Sequence, residues 1–82
     1  MRLSNEDRCT LQTTYSLSQK QLALLELMMG GRDANKLLAE SLELSYPMVK
    51  LELHYLYQAM GVSSKTQAVA AAFRTLLQLQ AS

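Results

Sequence analysis

The chain has few of the residues on which metal sites and disulfides depend. Its 82 residues include one cysteine, Cys9, and one histidine, His54. A single cysteine excludes an internal disulfide and a cysteine-based zinc cage, and it is typical of a reducing cytoplasm. A lone histidine, without a second histidine or cysteine at helical spacing, does not indicate a metal site. We therefore expect neither a metal nor another cofactor.

Motifs for catalysis are missing as well. The sequence has no paired carboxylates, no nucleophile beside a base and no glycine-rich loop that could hold a phosphate. Its adjacent glycines, Gly30 and Gly31, are explained as the end of a helix. The sequence therefore predicts a protein that is not an enzyme.

Residues that break helices are scarce, with one proline and three glycines. Hydrophobic residues make up 49% of the chain, and most of the common residues are good helix formers. One all-α domain is expected at this length. No run approaches the roughly 20 apolar residues of a membrane span, and the charged N-terminus is unlike a signal peptide. We expect a soluble cytoplasmic protein that does not enter a membrane.

The net charge of +1 is low. A dedicated nucleic-acid binder usually has a stronger basic excess, so the charge counts against DNA binding without excluding it. Several of the lysines and arginines nevertheless fall near predicted helix starts, where proteins that contact phosphates place them.

Helix signals divide the chain into an N-terminal extension or arm over residues 1–15 and a helical domain over residues 16–82. The first predicted helix follows Ser18, which is expected to form a capping box with Gln21. Gly30 and Gly31 end it, and Asp33 is predicted to cap a second helix of about ten residues.

A very short turn at Leu44 and Ser45 separates the second helix from a third, predicted from Tyr46 to about Met60. Ser45 is the predicted cap, and Pro47 suits a first helical turn. The apolar stripe of this helix follows steps of four, three and four residues and consists of Val49, Leu53, Leu56 and Met60. Two helices joined in this way have the outline of a helix-turn-helix, whose second helix enters the DNA major groove.

A fourth helix follows Ser64, which is predicted to form a capping box with Gln67. This helix is apolar on more than one side, so we expect a two-fold pairing with a second copy. The residues expected to form the dimer contact are Ala70, Phe73 and Leu77. Such a dimer would bind an inverted repeat.

Residues 17–77 resemble the LuxR/GerE family of bacterial transcription regulators. Leu17-Ser18 before Lys20, Asn35-Lys36 before Leu38-Ala39, and Leu42-x-Leu44-Ser45 match family motifs, as does Gln67-Ala68-Val69. The resemblance implies a four-helix helix-turn-helix domain that binds promoter DNA and regulates transcription.

The resemblance also implies which residues meet double-stranded DNA. Family positions matching Met48 and Lys50 lie in the first turn of the recognition helix, and those matching Leu51 and His54 point into the groove. The full set of DNA-binding candidates is Lys36, Tyr46, Met48, Lys50, Leu51, His54 and Lys65. The chain departs from the family pattern by having Leu37 for Glu, Met48 for Thr, Glu52 for His and Ala59 for Lys, so weaker DNA affinity is expected.

These departures leave a second hypothesis open. The chain would then be a degenerate helix-turn-helix that acts by protein-protein interaction, as an antagonist or heterodimer partner of another regulator. DNA binding requires a common surface for His54 and four cations, namely Arg32, Lys36, Lys50 and Lys65. The alternative predicts an exposed apolar patch formed by Met48, Leu51 and Tyr55.

Overall fold

The computed structural model describes residues 3–32 and 34–81, and throughout these ranges the secondary structure is helical, without strands. The described ranges contain five helices: α1 (Asn5–Tyr15), α2 (Gln19–Met29), α3 (Asn35–Leu42), α4 (Tyr46–Met60) and α5 (Lys65–Ala81). The all-helical fold class is as predicted. The described residues form one helix more than the four that the sequence predicted, and the additional helix is α1. No helix in these ranges is both long enough and apolar enough to span a bilayer.

Helix α1 is the main difference from the sequence-based expectation of an arm. The Ser4 hydroxyl accepts a hydrogen bond from the Asp7 N–H at 3.1 Å and caps the helix. Leu11 is fully buried in the core. Just before the N-terminal end of α1, the Leu3 N–H donates to a carboxylate oxygen of Glu26 on α2 at 3.1 Å. The segment is therefore helical and packed, while a domain boundary near residue 15 remains a prediction.

Helix α2 lies at the centre of the fold and packs against each of the other four helices. Five of its residues are buried, namely Leu22, Leu24, Leu25, Met28 and Met29. The predicted capping box is confirmed, because the Gln21 N–H donates to Ser18 Oγ at 3.2 Å and the Ser18 N–H donates to Gln21 Oε1 at 2.9 Å. Gly30 ends the helix, as predicted.

The turn between α3 and α4 is as short as the sequence predicted. Glu43 adopts the left-handed conformation (φ 54°), and the Leu44 N–H donates to the Ala39 carbonyl at 3.0 Å. Ser45 then caps α4 by accepting from the Met48 N–H at 3.3 Å, and proline occupies the first turn. The predicted bounds and caps of α4 are therefore confirmed.

Two other caps differ from expectation. Asp33, the predicted cap of α3, lies outside the described residues, and the N-cap position is Ala34, which makes no side-chain bond. Before α5, Ser64 Oγ accepts from the Gln67 N–H at 3.2 Å as predicted. The reciprocal bond comes from the Ser63 N–H, one residue earlier than in a capping box, and reaches Gln67 Oε1 at 2.9 Å.

Candidate nucleic-acid interface

The core-facing stripe of α4 determines which of its side chains face outward. All four predicted stripe residues, Val49, Leu53, Leu56 and Met60, are buried. Because an α-helix turns by about 100° per residue, the positions between them point away from the core. The exposed residues of the first three turns include five DNA-binding candidates, Tyr46, Met48, Lys50, Leu51 and His54. Tyr55 is exposed on the same helix.

The outward face of α4 has two chemically different sides. Met48, Leu51 and Tyr55 lie within roughly 60° of one another around the helix axis, and their exposed fractions are 39%, 43% and 46%. We call these three residues the apolar patch. Lys50 and His54 lie beside them, about 40° apart, and we call these two the basic side.

Lys50 is held over the first turn of its own helix. Its Nζ lies 5.1 Å from the centroid of the Tyr46 ring, which is the geometry of a cation–π contact. At an exposed site such a contact contributes about 0.5–1 kcal/mol. The described residues form one ion pair, between Arg8 and Glu26 at 3.7 Å. Among these residues, the Lys50 ammonium is therefore not paired with a carboxylate. It can still donate to a phosphate or a base.

A second cationic site lies at the start of α3 and α5. The Lys65 ammonium donates to Asn35 Oδ1 at 2.5 Å, which links the first turns of the two helices. Lys36 follows Asn35 and is exposed. The structure thus brings Lys36 and Lys65 to the same region. Among the described contacts, none joins this region to the basic side of α4.

Asn35 is a residue whose contribution sequence reasoning missed. Asn35 belongs to a stretch that matches a family motif, and the sequence alone predicts no contact for its side chain. Its partner Lys65 is 30 positions away, and no local pattern reports a contact across such a separation. Arg32, the fourth cation expected on the DNA surface, is exposed in the turn after α2.

The tyrosines of α4 have different environments. The ring of Tyr55 lies beside that of His54, with centroids 6.0 Å apart and planes tilted by 52°. Tyr57 instead packs against the core. Burial raises the pKa of the Tyr57 phenol above its ordinary value. Tyr57 therefore stays neutral at physiological pH and belongs to the packing of the helix.

The candidate dimer residues occupy one side of α5. Ala70 is exposed and Leu77 is 64% exposed, whereas Phe73 packs partly against the core. Another side of α5 is covered by α1, where the Tyr15 hydroxyl lies 2.6 Å from Thr75 Oγ1. Pairing between copies through Ala70, Phe73 and Leu77 remains a prediction.

The arrangement has the chemistry of a binding surface. The outward face of α4 carries hydrogen-bond donors and apolar side chains, and the major groove of B-DNA admits an α-helix. In the described ranges, histidine, cysteine and acidic side chains do not gather into a group that could hold a metal ion.

Comparison with known families agrees with this arrangement. A family model described as bacterial regulatory proteins, luxR family, matches residues 15–72. The match begins at the end of α1 and extends into α5, so it contains α2, α3 and α4 entirely. No curated protein and no solved structure matches the chain.

Proposed function

We propose that this chain, which belongs to the LuxR family of bacterial regulatory proteins, binds promoter DNA as a dimer and regulates transcription without catalysing a reaction. In this proposal α4 is the recognition helix and enters the major groove. The family match supports a DNA-binding regulator. The choice of residues, the dimer and the operator are part of the proposal.

The outward orientation of Lys50 and His54 is the observation that carries the proposal. Both side chains are exposed on α4. The helix cannot turn them toward the core, because its opposite side is fixed there by the buried stripe. A lysine can donate to guanine O6 and N7, and a histidine can donate to a base or a phosphate. The two residues therefore supply the polar part of the readout.

Phosphate contacts are assigned to the first turns of α3 and α5. Lys36 is exposed, and Lys65 is held in place by Asn35. Phosphate contacts position a protein on the duplex, and each neutralised phosphate changes the slope of log K against log salt by about −0.9. Glu52, which is half-buried on α4, opposes binding because it places a negative charge near the DNA.

The dimer is assigned to α5 because its exposed apolar side chains remain after α1 has covered another side. Ala70 and Leu77 are seven residues apart and therefore lie on one side of the helix. Two copies paired there would present two recognition helices about 34 Å apart, one turn of B-DNA, to an inverted repeat.

The test uses the purified chain and a duplex selected from a random-sequence library. Fluorescence anisotropy at two salt concentrations would compare the parent chain with Lys50→Ala and His54→Ala. Loss of a base contact is expected to weaken binding by about 1–3 kcal/mol with little change in the salt slope. Loss of a phosphate contact would reduce the slope by about 1.

Lys20→Ala is the matched control, because Lys20 is an exposed lysine at the start of α2 and lies outside the recognition helix. Far-UV circular dichroism would verify that each variant keeps its helices. Unchanged affinity in both α4 variants, at equal helicity, would contradict the proposal.

A second candidate function is favoured by the exposure of the apolar patch. The chain would then act through another regulator, by forming a heterodimer with it and blocking its DNA binding. This function predicts that the chain alone does not bind duplex DNA at low salt. It also predicts that adding the chain lowers the DNA affinity of a second LuxR-family regulator in the same anisotropy assay.

A further inference from the structure

The apolar patch of α4 is not explained by the contacts of the fold. Met48, Leu51 and Tyr55 follow one another at steps of three and four residues and are 39% to 46% exposed. Single exposed apolar residues are common on protein surfaces, whereas a contiguous set usually marks a place of contact. The patch lies on the same helix as Lys50 and His54. The group that covers the patch should therefore lie beside the group that those two residues bind.

The size of the patch argues against a stable protein partner. Its three side chains, at roughly 200 Å² each and a little under half exposed, offer on the order of 250 Å². A stable protein interface needs about 800 Å² per partner. The patch is therefore large enough for a few small apolar groups and does not by itself supply the area of a stable protein interface.

The DNA major groove presents one such apolar group. The C5-methyl of thymine lies in that groove, and adenine, guanine and cytosine show polar edges there. A helix with donors on one side and apolar side chains on the other is complementary to a groove in which thymine methyl groups lie beside guanines or phosphates. Polarity supports the same ligand, because the Lys50 ammonium and the hydrogen-bonding imidazole of His54 border the patch.

We propose that Met48, Leu51 and Tyr55 contact thymine methyl groups, so that the chain prefers duplexes with thymines opposite the apolar patch. This inference rests on the proposed function, because it requires α4 to lie in the major groove. Preference for thymine is thus assigned to the apolar patch, in which Met48 and Leu51 have no strong hydrogen-bonding group. Polar recognition of the DNA is assigned to Lys50 and His54.

Deoxyuridine provides the direct test, since it differs from thymidine in the major groove by the absence of the C5-methyl. A duplex selected from a random-sequence library with the full chain would be synthesised once with thymine and once with uracil. Anisotropy titrations are expected to show about four-fold weaker binding for each lost methyl that meets the patch, the equivalent of one buried methylene.

A variant separates methyl contact from changes in DNA shape. Leu51→Ala is expected to bring the ratio of thymine to uracil affinities close to one, because the side chain that contacts the methyl is gone. Leu37→Ala is the matched control, since Leu37 is a leucine of similar exposure (46%) on α3. It should keep the ratio of the parent chain. Both leucines are exposed, so both variants are expected to fold, and circular dichroism would verify this.

Two outcomes would overturn the inference in distinguishable ways. Equal affinity for the thymine and uracil duplexes would show that the patch does not read methyl groups, while DNA binding by α4 would stand. Failure to bind any duplex at low salt would overturn the proposed function together with the inference, and it would favour the protein partner.

Discussion

Helices α4 and α5 both carry more apolar residues than one buried stripe requires. The additional apolar residues differ between the two helices in whether another helix of the chain covers them. Part of α5 is covered by α1 of the same chain, where Tyr15 contacts Thr75. The outward side of α4 keeps Leu51 and its neighbours exposed. An apolar surplus in a sequence therefore indicates a contact without specifying whether its partner is internal or external.

Removing the internal partner of α5 should have the largest effect. Leu11→Ala leaves a cavity where α1 meets the core, and because Leu11 is fully buried the free energy of unfolding should fall by about 2–5 kcal/mol. Urea denaturation followed by circular dichroism would measure it. Thr13→Ala, at an exposed position of the same helix, should change stability by less than about 0.5 kcal/mol. Equal stabilities for the two variants would mean that α1 is a dispensable arm.

A charge on the exposed side of α5 tests whether its remaining surplus has an external partner. Leu77→Glu should raise the dimer dissociation constant at least about tenfold, or 1.4 kcal/mol, because a carboxylate would lie between two apolar helices. Sedimentation equilibrium would measure the constant. Gln78→Glu, which adds the same charge at a neighbouring exposed position, should leave it nearly unchanged. A parent chain that stays monomeric at high micromolar concentration, free and on DNA, would refute the pairing.

A smaller effect is expected from the half-buried carboxylate of α4. Glu52→His should tighten DNA binding by about 0.5 kcal/mol, the scale of a single surface charge interaction, and should steepen its salt dependence. The gain should be larger at pH 6 than at pH 8, since an ordinary histidine becomes charged near pH 6.5. Glu6→His on α1 makes the same exchange on a helix that packs against α2 and α5. Equal gains from both variants would mean that charge acts without regard to position.

The helix-turn-helix was predictable because local signals agreed with its tertiary contacts. Ser45 and Pro47 mark the start of α4, Gly61 marks its end, and the apolar stripe between them is buried. Helix α1 was not recognised because Thr10, Thr13 and Thr14 are weak helix formers. Its packing includes contacts with residues far along the chain, such as that of Tyr15 with Thr75, and a local pattern does not report such a contact.

The candidate interface was predictable in part. The outward position of Lys50, Leu51 and His54 follows from helical periodicity once the stripe is known. The contact between Lys50 and Tyr46 lies at a spacing of four residues and could have been expected from helix geometry. The bond from Lys65 to Asn35 joins two helices, and it required the fold.

The claim that the outward face of α4 meets DNA is tested by an NMR titration of the isotope-labelled chain with a short duplex at low salt. Electrostatic binding occurs without the operator sequence under these conditions. The claim predicts amide shift changes concentrated from Tyr46 to Tyr55 and near Lys36 and Lys65, and their loss at high salt. Shift changes confined to other helices, or none at all, would contradict it.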